Sequence, residues 1–256
     1  MLSGLYVSAA GLQAQEARQS VIANNLANAN THGFKRDLTV MQARRNAIQE
    51  HPELAPYQLP VLANQSGGVT GSGGGIDMTQ GPLTSTKNPT DVALMGSGFF
   101  EVQGDKPGEK LLTRDGSFLL NQDGTLVTAN GGRPVLSSQG QPIVLNPNLP
   151  VQISTTGMIT QGDGSAGVQL GLTDVSDPRQ LVKLGSNLLT VTNPQALTAI
   201  SPNTQVKQGH VEESGVNPAV ELVNMMQGQR AFDANAKMIT YQDTTLSELN
   251  TIGKVA

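Results

Sequence analysis

Ser3-Gly4-Leu5-Tyr6-Val7-Ser8-Ala9-Ala10-Gly11-Leu12 opens a run that continues to about Asn28 without a proline and with helix formers dominating. Within it Leu5, Ala9, Leu12, Glu16, Gln19, Ile22 and Leu26 step alternately by four and three. That is the spacing of a coiled-coil seam, here with two polar members. A helix over this stretch spans about 40 Å, with Ser3 as its N-cap. Asn28-Ala29-Asn30-Thr31-His32-Gly33 ends it, because Asn and Gly accept left-handed backbone.

The far end of the chain mirrors this pattern. Asn217-Pro218 reads as an N-cap followed by proline at the first helical position, with Glu221 near the positive end of the helix dipole. Leu222, Met225, Gln229, Phe232, Ala236, Ile239, Asp243, Leu246 and Leu249 again step by three and four, to about Ile252. This helix is about 50 Å long. A narrow seam cannot be buried by a lone helix, so each helix requires a partner.

Between the ends the pattern changes. Asp37 to Glu50 is moderately helical, and Pro52, Pro56 and Pro60 then interrupt it. Gly67-Gly68-Val69-Thr70-Gly71-Ser72-Gly73-Gly74-Gly75 holds six glycines in nine residues and reads as a flexible connection or an extended crossing. From Ile76 to about Val206 short apolar stretches alternate with turn residues: Val92 to Met95, Phe99 to Val102, Phe118 to Leu120, Leu126 to Thr128, Val168 to Leu172, Leu188 to Val191. Asp115-Gly116 and Asp123-Gly124 predict consecutive hairpins. The expected fold class is therefore α+β, with long N- and C-terminal α-helices pairing as a coiled coil and a central antiparallel β-rich domain. The expected domains are 1–30 with 211–256 (helical), 31–75 (connecting) and 76–210 (β-rich, a small sandwich or barrel).

Composition removes several classes. The 256 residues include no Cys, which excludes disulfide scaffolds, zinc ribbons and thiol nucleophiles. His32, His51 and His210 are far apart, which disfavours a His-rich metal site. The net charge of −4 gives no footprint for nucleic acid. No apolar run approaches the roughly 20 residues of a membrane helix. The first charges are Glu16 and Arg18, so no basic segment precedes an apolar one as in a cleaved signal peptide.

Individual motifs are weak. Gly162-Asp163-Gly164-Ser165-Ala166-Gly167 matches a dinucleotide fingerprint by letters, but no helical pattern follows, and a turn is the better reading. His32 with nearby Asp37 lacks a nucleophile motif, and His51 beside Pro52 and Glu53 reads as linker. His210 precedes Val211-Glu212-Glu213, but neighbours on an extended chain point apart. Lys35, Arg36, Arg44 and Arg45 form the basic cluster and read as a solvated or interface-facing helix. Residues 212–254 sum to −3 and complement it electrostatically in a neighbouring copy.

Longer strings then carry a resemblance. Ala23-Asn24-Asn25-Leu26-Ala27-Asn28-Ala29-Asn30-Thr31-His32-Gly33-Phe34-Lys35 resembles the N-terminal signature of bacterial flagellar rod and hook proteins. Val211-Glu212-Glu213-Ser214-Gly215-Val216-Asn217-Pro218, with Glu221-Leu222-Val223 and Gln229-Arg230-Ala231-Phe232, resembles the C-terminal signature. Asp91-Val92-Ala93-Leu94, Gly98-Phe99-Phe100 and Thr113-Arg114-Asp115-Gly116-Ser117-Phe118 resemble the β-domain of the longer rod proteins. Gly215 departs from the usual Asn and suits the same turn.

The resemblance implies a structural subunit of the flagellar basal-body rod, not an enzyme, with no cofactor and no metal. Its implied partners are copies of itself, other rod proteins and the flagellar type III export apparatus; nucleic acid and an integral membrane segment are not implied. It places the chain in the periplasmic rod, exported without a cleaved signal. In the family the terminal helices form an inner coiled-coil layer around the export channel, with the β-domain outside. The assembly residues so implied are Leu5, Leu12, Ile22, Asn25, Leu26, Asn28, Gly33, Phe34, Asn217, Leu222, Met225, Phe232, Ile239 and Leu246. Two members fit. Gly75 to Gly81 and Val135 to Val144 favour the proximal-rod subunit; the linker from Lys35 to Asp91 and Glu221 to Met226 favour the distal one. Two other classes stay open: a secreted β-domain enzyme acting on cell-wall polysaccharide, which needs two carboxylates facing one cleft, and a binding module gripping a partner helix.

Overall fold

The computed structural model describes residues 2–45, 68–106, 108–162 and 166–252. The chain divides into two compact units. A helical unit holds 1–27, 37–74 and 217–256, and a β-unit holds 28–36 and 75–216. In chain order the elements begin with α1 (Leu2–Ala27), β1 (Asp37–Ala43), β2 (Val69–Ile76), β3 (Leu83–Ser85), β4 (Val92–Met95) and β5 (Phe99–Gln103). They continue with β6 (Lys110–Thr113), β7 (Phe118–Leu120), β8 (Leu126–Thr128), β9 (Val151–Ile153), β10 (Met158–Gln161) and β11 (Val168–Gln169). Then come β12 (Leu172–Val175), β13 (Leu181–Gly185), β14 (Leu188–Val191), β15 (Leu197–Ala199), β16 (Gln205–Gln208), β17 (His210–Glu212) and α2 (Pro218–Ile252).

In the helical unit both long helices form, but the expected coiled coil does not. Ala9 and Glu16 of the α1 seam are exposed, as are Leu222 (48%), Phe232 (38%) and Leu249 (47%) of the α2 seam. The buried positions among the described side chains of α1 are Ser8, Ala14, Ile22 and Asn25, of which only Ile22 belongs to the expected seam. Small and amide residues decide this. A Cβ built on Gly4 would stand 2.7 Å from Gln242 Nε2, and one on Gly11 3.1 Å from Asn235 Nδ2. Amide groups therefore occupy the space that apolar knobs of a heptad seam would fill. The steps of three and four were present in the sequence, but they marked the wrong line of residues. The α+β content agrees with expectation; the coiled-coil pairing is overturned.

The N-cap of α2 forms as read: Asn217 Oδ1 accepts from the amides of Ala219 (3.0 Å) and Val220 (3.4 Å). Ser3 lies inside α1, not ahead of it. The helical pattern expected from Asp37 is a strand, and the Gly-rich run is its partner: β1 and β2 form a two-stranded ribbon. Thr39 and Val40 favour strand over helix through their branched Cβ atoms. Glycine lets β2 lie close against β1, since a Cβ on Gly74 would fall 2.6 Å from Val40 Cγ2 and 3.1 Å from Leu38 O, and one on Gly71 would be tight at 3.3 Å from Ala14 O. Residues 46–67, including His51 and the three prolines, lie outside the described residues.

The β-unit is built on a six-stranded antiparallel sheet in the order β13-β14-β6-β5-β12-β15. Alternation along β5 and β6 sends Phe100, Val102 and Leu111 to one face and Phe99 and Leu112 to the other. The first face packs with Phe118, Leu126, Val135 and Ile143 into the larger core, where Phe100 and Phe118 meet edge to face at 5.1 Å. The second packs against Val175, Leu181, Leu189 and Ala196. Smaller sheets β11-β10-β9, β16-β4, β17-β3 and β7-β8 complete the unit.

Of the two expected hairpins one forms. Asp123-Gly124 turns β7 into β8, with Gly124 N donating to Asn121 O at 3.0 Å. Asp115-Gly116 does not make a hairpin, because β6 and β7 lie in different sheets. Gly116 is there for close approach: its O accepts from Val92 N, and a Cβ on it would fall 1.6 Å from Val92 O. The Gly162 to Gly167 stretch lies between β10 and its antiparallel neighbour β11, with a strand and no helix after it; residues 163–165 of it are outside the described ones.

Candidate functional site

The three signature strings meet inside the β-unit. Gly33 has φ +68°, in the left-handed region. Its amide donates to Glu212 O at 2.7 Å, and a Cβ on it would lie 2.4 Å from Asp115 N. Glycine is thus the residue that lets the N-terminal string lie against both the central and the C-terminal one.

Below that contact sits a buried ionic group. Glu212 accepts from Lys35 Nζ at 2.6 Å and from Arg114 Nη1 at 3.2 Å, with all three side chains 2–3% exposed. Gly81 N also donates to Glu212 Oε1 at 2.9 Å, Lys35 Nζ to Thr79 O at 3.0 Å, and Arg114 Nη2 to Gly96 O at 2.8 Å. The Arg114 guanidinium lies 5.4 Å from the Phe99 ring centroid. One carboxylate thus serves two cations, and the carbonyls and amide take up remaining donors and acceptors. Burial pulls the Lys35 ammonium below its ordinary range, against the opposing pull of Glu212. Burial likewise lowers the Arg114 guanidinium, again opposed by Glu212.

Lys35 therefore corrects the sequence expectation. It is no member of a solvated basic helix. It is a buried structural cation, while Arg36 stands 3.9 Å from Asp77 and Arg44 donates to Tyr6 Oη at 2.8 Å. Arg114 is marked in the sequence only by its family string, and Glu212 by its string and by the His210-Val211-Glu212-Glu213 run, neither of which points to a buried ion pair. A single Arg closing the apolar Leu111-Leu112-Thr113 strand and a Glu following Val211 were the local signals available.

The residues expected to carry assembly are distributed as follows. Gly33 and Phe34 are buried in the β-unit, with Lys183 Nζ 4.1 Å from the Phe34 ring centroid and donating to Lys35 O. Asn28 accepts from Thr31 Oγ1 at 3.2 Å, in the loop after α1. Asn25 is buried in the helical unit and clamps the start of β1: its Nδ2 donates to Asp37 O and its Oδ1 accepts from Asp37 N, both at 2.9 Å. Ile22 is buried; Leu5, Leu12, Leu26, Met225, Ile239 and Leu246 are half-buried. Leu222 and Phe232 are exposed, and Asn217 caps α2.

The helices also present apolar side chains to solvent: Tyr6, Val7, Val220, Leu222, Val223, Met226, Met238 and Tyr241. No helix among the described residues is long and apolar enough to cross a membrane, and no metal-holding group of His, Cys, Asp and Glu occurs among them. His32 Nδ1 lies 3.2 Å from Ser117 Oγ, but Asp115 bonds the serine and not the histidine. That is not the carboxylate–imidazole–hydroxyl order of a hydrolase triad. His210 Nδ1 lies 2.9 Å from Gln208 O.

Three family models match the chain in order. The flagella basal body rod protein model covers residues 5–35, the flagellar hook protein FlgE/F/G D1 domain 93–161, and the flagellar basal body rod FlgEFG protein C-terminal model 207–252. Lys35 closes the first match, Arg114 lies in the second and Glu212 in the third. Among similar proteins, the flagellar basal-body rod protein FlgG of Buchnera aphidicola subsp. Acyrthosiphon pisum is 36% identical over 260 residues, covering 98% of this chain and 99% of the relative. The rod protein FlgF of Caulobacter vibrioides is 34% identical over 260 residues, with both chains covered in full. FlgG of Bacillus subtilis is 30% identical over 261 residues, covering 97% and 98%. End to end, with each signature in its place, the chain belongs to the family of flagellar basal-body rod proteins, the structural subunits of the flagellar rod.

Proposed function

We propose that this chain is laid into the periplasmic part of the rod beside copies of itself and other rod proteins, and that its role there is mechanical, with no catalysis. It reaches that position through the flagellar type III export apparatus, without losing a signal peptide. The observation that carries this reading is the apolar surface of the two long helices, above all Leu222, Val223 and Met226 on α2, each about half exposed. Such a surface marks contact with other protein. Gly33, Phe34 and Asn28 shape the point where the chain leaves α1; Asn25 and Asn217 fix the ribbon and α2 from which those contacts are made.

The proximal position is the first reading, on Gly75 to Gly81 and Val135 to Val144, and the distal position the second, on Glu221 to Met226. A polysaccharide-acting enzyme would require two carboxylates across one cleft. Two clefts among the described residues of the β-unit each hold a single carboxylate, Asp77 in one and Asp174 in the other.

The test is replacement of the chromosomal copy by Leu222→Asp with Met226→Asp. Basal bodies isolated from these cells are expected to lack the chain, and the cells to be non-motile, while the purified variant keeps its circular dichroism spectrum. Normal basal bodies and swimming with that variant would refute the reading. Side-chain density in an electron-microscopy reconstruction of the basal body decides between proximal and distal positions.

A further inference from the structure

Within the helical unit a groove of about 680 Å³ is lined by Glu16, Gln19, Ser20, Ala23, Gln229, Phe232 and Asp233. Its charged lining residues are both acidic, Glu16 and Asp233, and its one aromatic residue, Phe232, is 38% exposed. The same unit carries the complement of this surface. Val40 and Met41 of β1 are exposed apolar side chains, and Arg44 and Arg45 follow them, both exposed.

Alternation along an extended chain separates these four residues. Arg44 N donates to Gly68 O, so ribbon pairing continues past β1. Val40 and Arg44 share one side, where Arg44 bonds Tyr6 of α1. Met41 and Arg45 share the opposite side, which is exposed. Apolar then basic along the strand matches Phe232 beside Glu16 and Asp233.

We propose that the groove holds the Met41–Arg45 side of a second copy's β1, with Met41 against Phe232 and Arg45 between Glu16 and Asp233. Groove and strand are different patches of one surface, so the contact is heterologous. It leaves a free groove on one copy and a free strand on the other, and repetition builds an open array instead of a closed dimer. The screening of exposed charges leaves partner choice and register to the charge pair, and most of the contact to Met41 and Phe232. This inference rests on the rod reading above.

The natural chain has no Cys, so introduced thiols are the only ones it carries. The full-length chain bearing both Arg45→Cys and Asp233→Cys replaces the chromosomal copy, and isolated basal bodies are oxidised and run on a non-reducing gel. The expected result is a ladder of dimer, trimer and longer species of this chain, with each single-Cys variant staying monomeric. Monomer alone from basal bodies that contain the chain overturns the groove contact and leaves the rod reading standing. Cross-links only to a different protein overturn the choice of a second copy as occupant. Absence of the unsubstituted chain from basal bodies overturns the rod reading, and this inference with it. A matching loss of swimming by Arg45→Glu, restored by adding Asp233→Arg, is the second expected result; no restoration counts against the pairing.

Discussion

Replacing Glu212 by Gln changes few atoms and removes one charge from beneath the junction of the three signature strings. In the native chain that carboxylate is the shared partner of Lys35 and Arg114, at 2.6 and 3.2 Å, with no side chain of the three more than 3% exposed. The amide can still accept from Gly81 N through its oxygen. Its NH₂ group then faces one of the two cations, donor against donor, and two buried positive charges lose their counter-charge. Two charge-assisted hydrogen bonds at about 1.5–3 kcal/mol each set the scale, and breaking one partner out of a buried ion pair gives about 3–5 kcal/mol. We therefore expect Glu212→Gln to destabilise the β-unit by about 4 kcal/mol. Urea unfolding of the purified chain, followed by near-ultraviolet circular dichroism of the β-unit aromatics, measures it. At that loss the melting midpoint falls by about 10 °C. A loss under about 1 kcal/mol would show that water or rearrangement compensates the two cations, and would refute the reasoning. A triple change to Met at 35, 114 and 212 separates charge from shape: it is expected to recover most of the loss, because apolar groups need no counter-charge.

Three further outcomes follow from the same geometry. Gly116→Ala drives a methyl into Val92 O and is expected to destabilise the β-unit by at least about 3 kcal/mol in the same urea titration. Asn217→Ala removes the cap of α2 and is expected to lower stability by about 1 kcal/mol, with helicity lost near the start of α2 by hydrogen exchange. Asp77 is held below the ordinary carboxylate range mainly by hydrogen bonds from the Thr79 hydroxyl and amide. Its folded value lies below its unfolded one, so its stabilising contribution is complete above the unfolded value and disappears as pH falls through the folded one. Thr79→Ala should raise the Asp77 value, read by carbon NMR of the carboxyl, and make the acid loss of stability shallower; an unchanged titration would sink the assignment.

Much of the fold was legible because local rules and tertiary structure agreed. Asn217-Pro218 could only start a helix well, and it does. Asp123-Gly124 between two apolar triplets made a hairpin. The short strands of the middle region appeared where branched and aromatic residues clustered between turns. Where neighbours far along the chain decide, the letters misled. Asp37 to Ala43 looked helical, yet Gly71 and its neighbours provide a flat strand for it to pair with. Asp115-Gly116 had hairpin letters, but its glycine answers to Val92, more than twenty positions earlier. The heptad steps of the helices were real in spelling, but Gly4 and Gly11 let amides approach and moved the contact to another line.

The sequence by itself determined that there are two long terminal helices and a β-rich middle, because helix periodicity, caps and turn residues act over a few positions. Its signature strings also determined the family. Only the tertiary structure decided that Lys35 is buried, that Glu212 and Arg114 are its partners, and that the terminal helices meet without a coiled-coil seam. A buried charge is stable only where its counter-charge is placed. Lys35 and Glu212 are 177 positions apart, so their pairing is a property of the folded backbone and of no local stretch of chain.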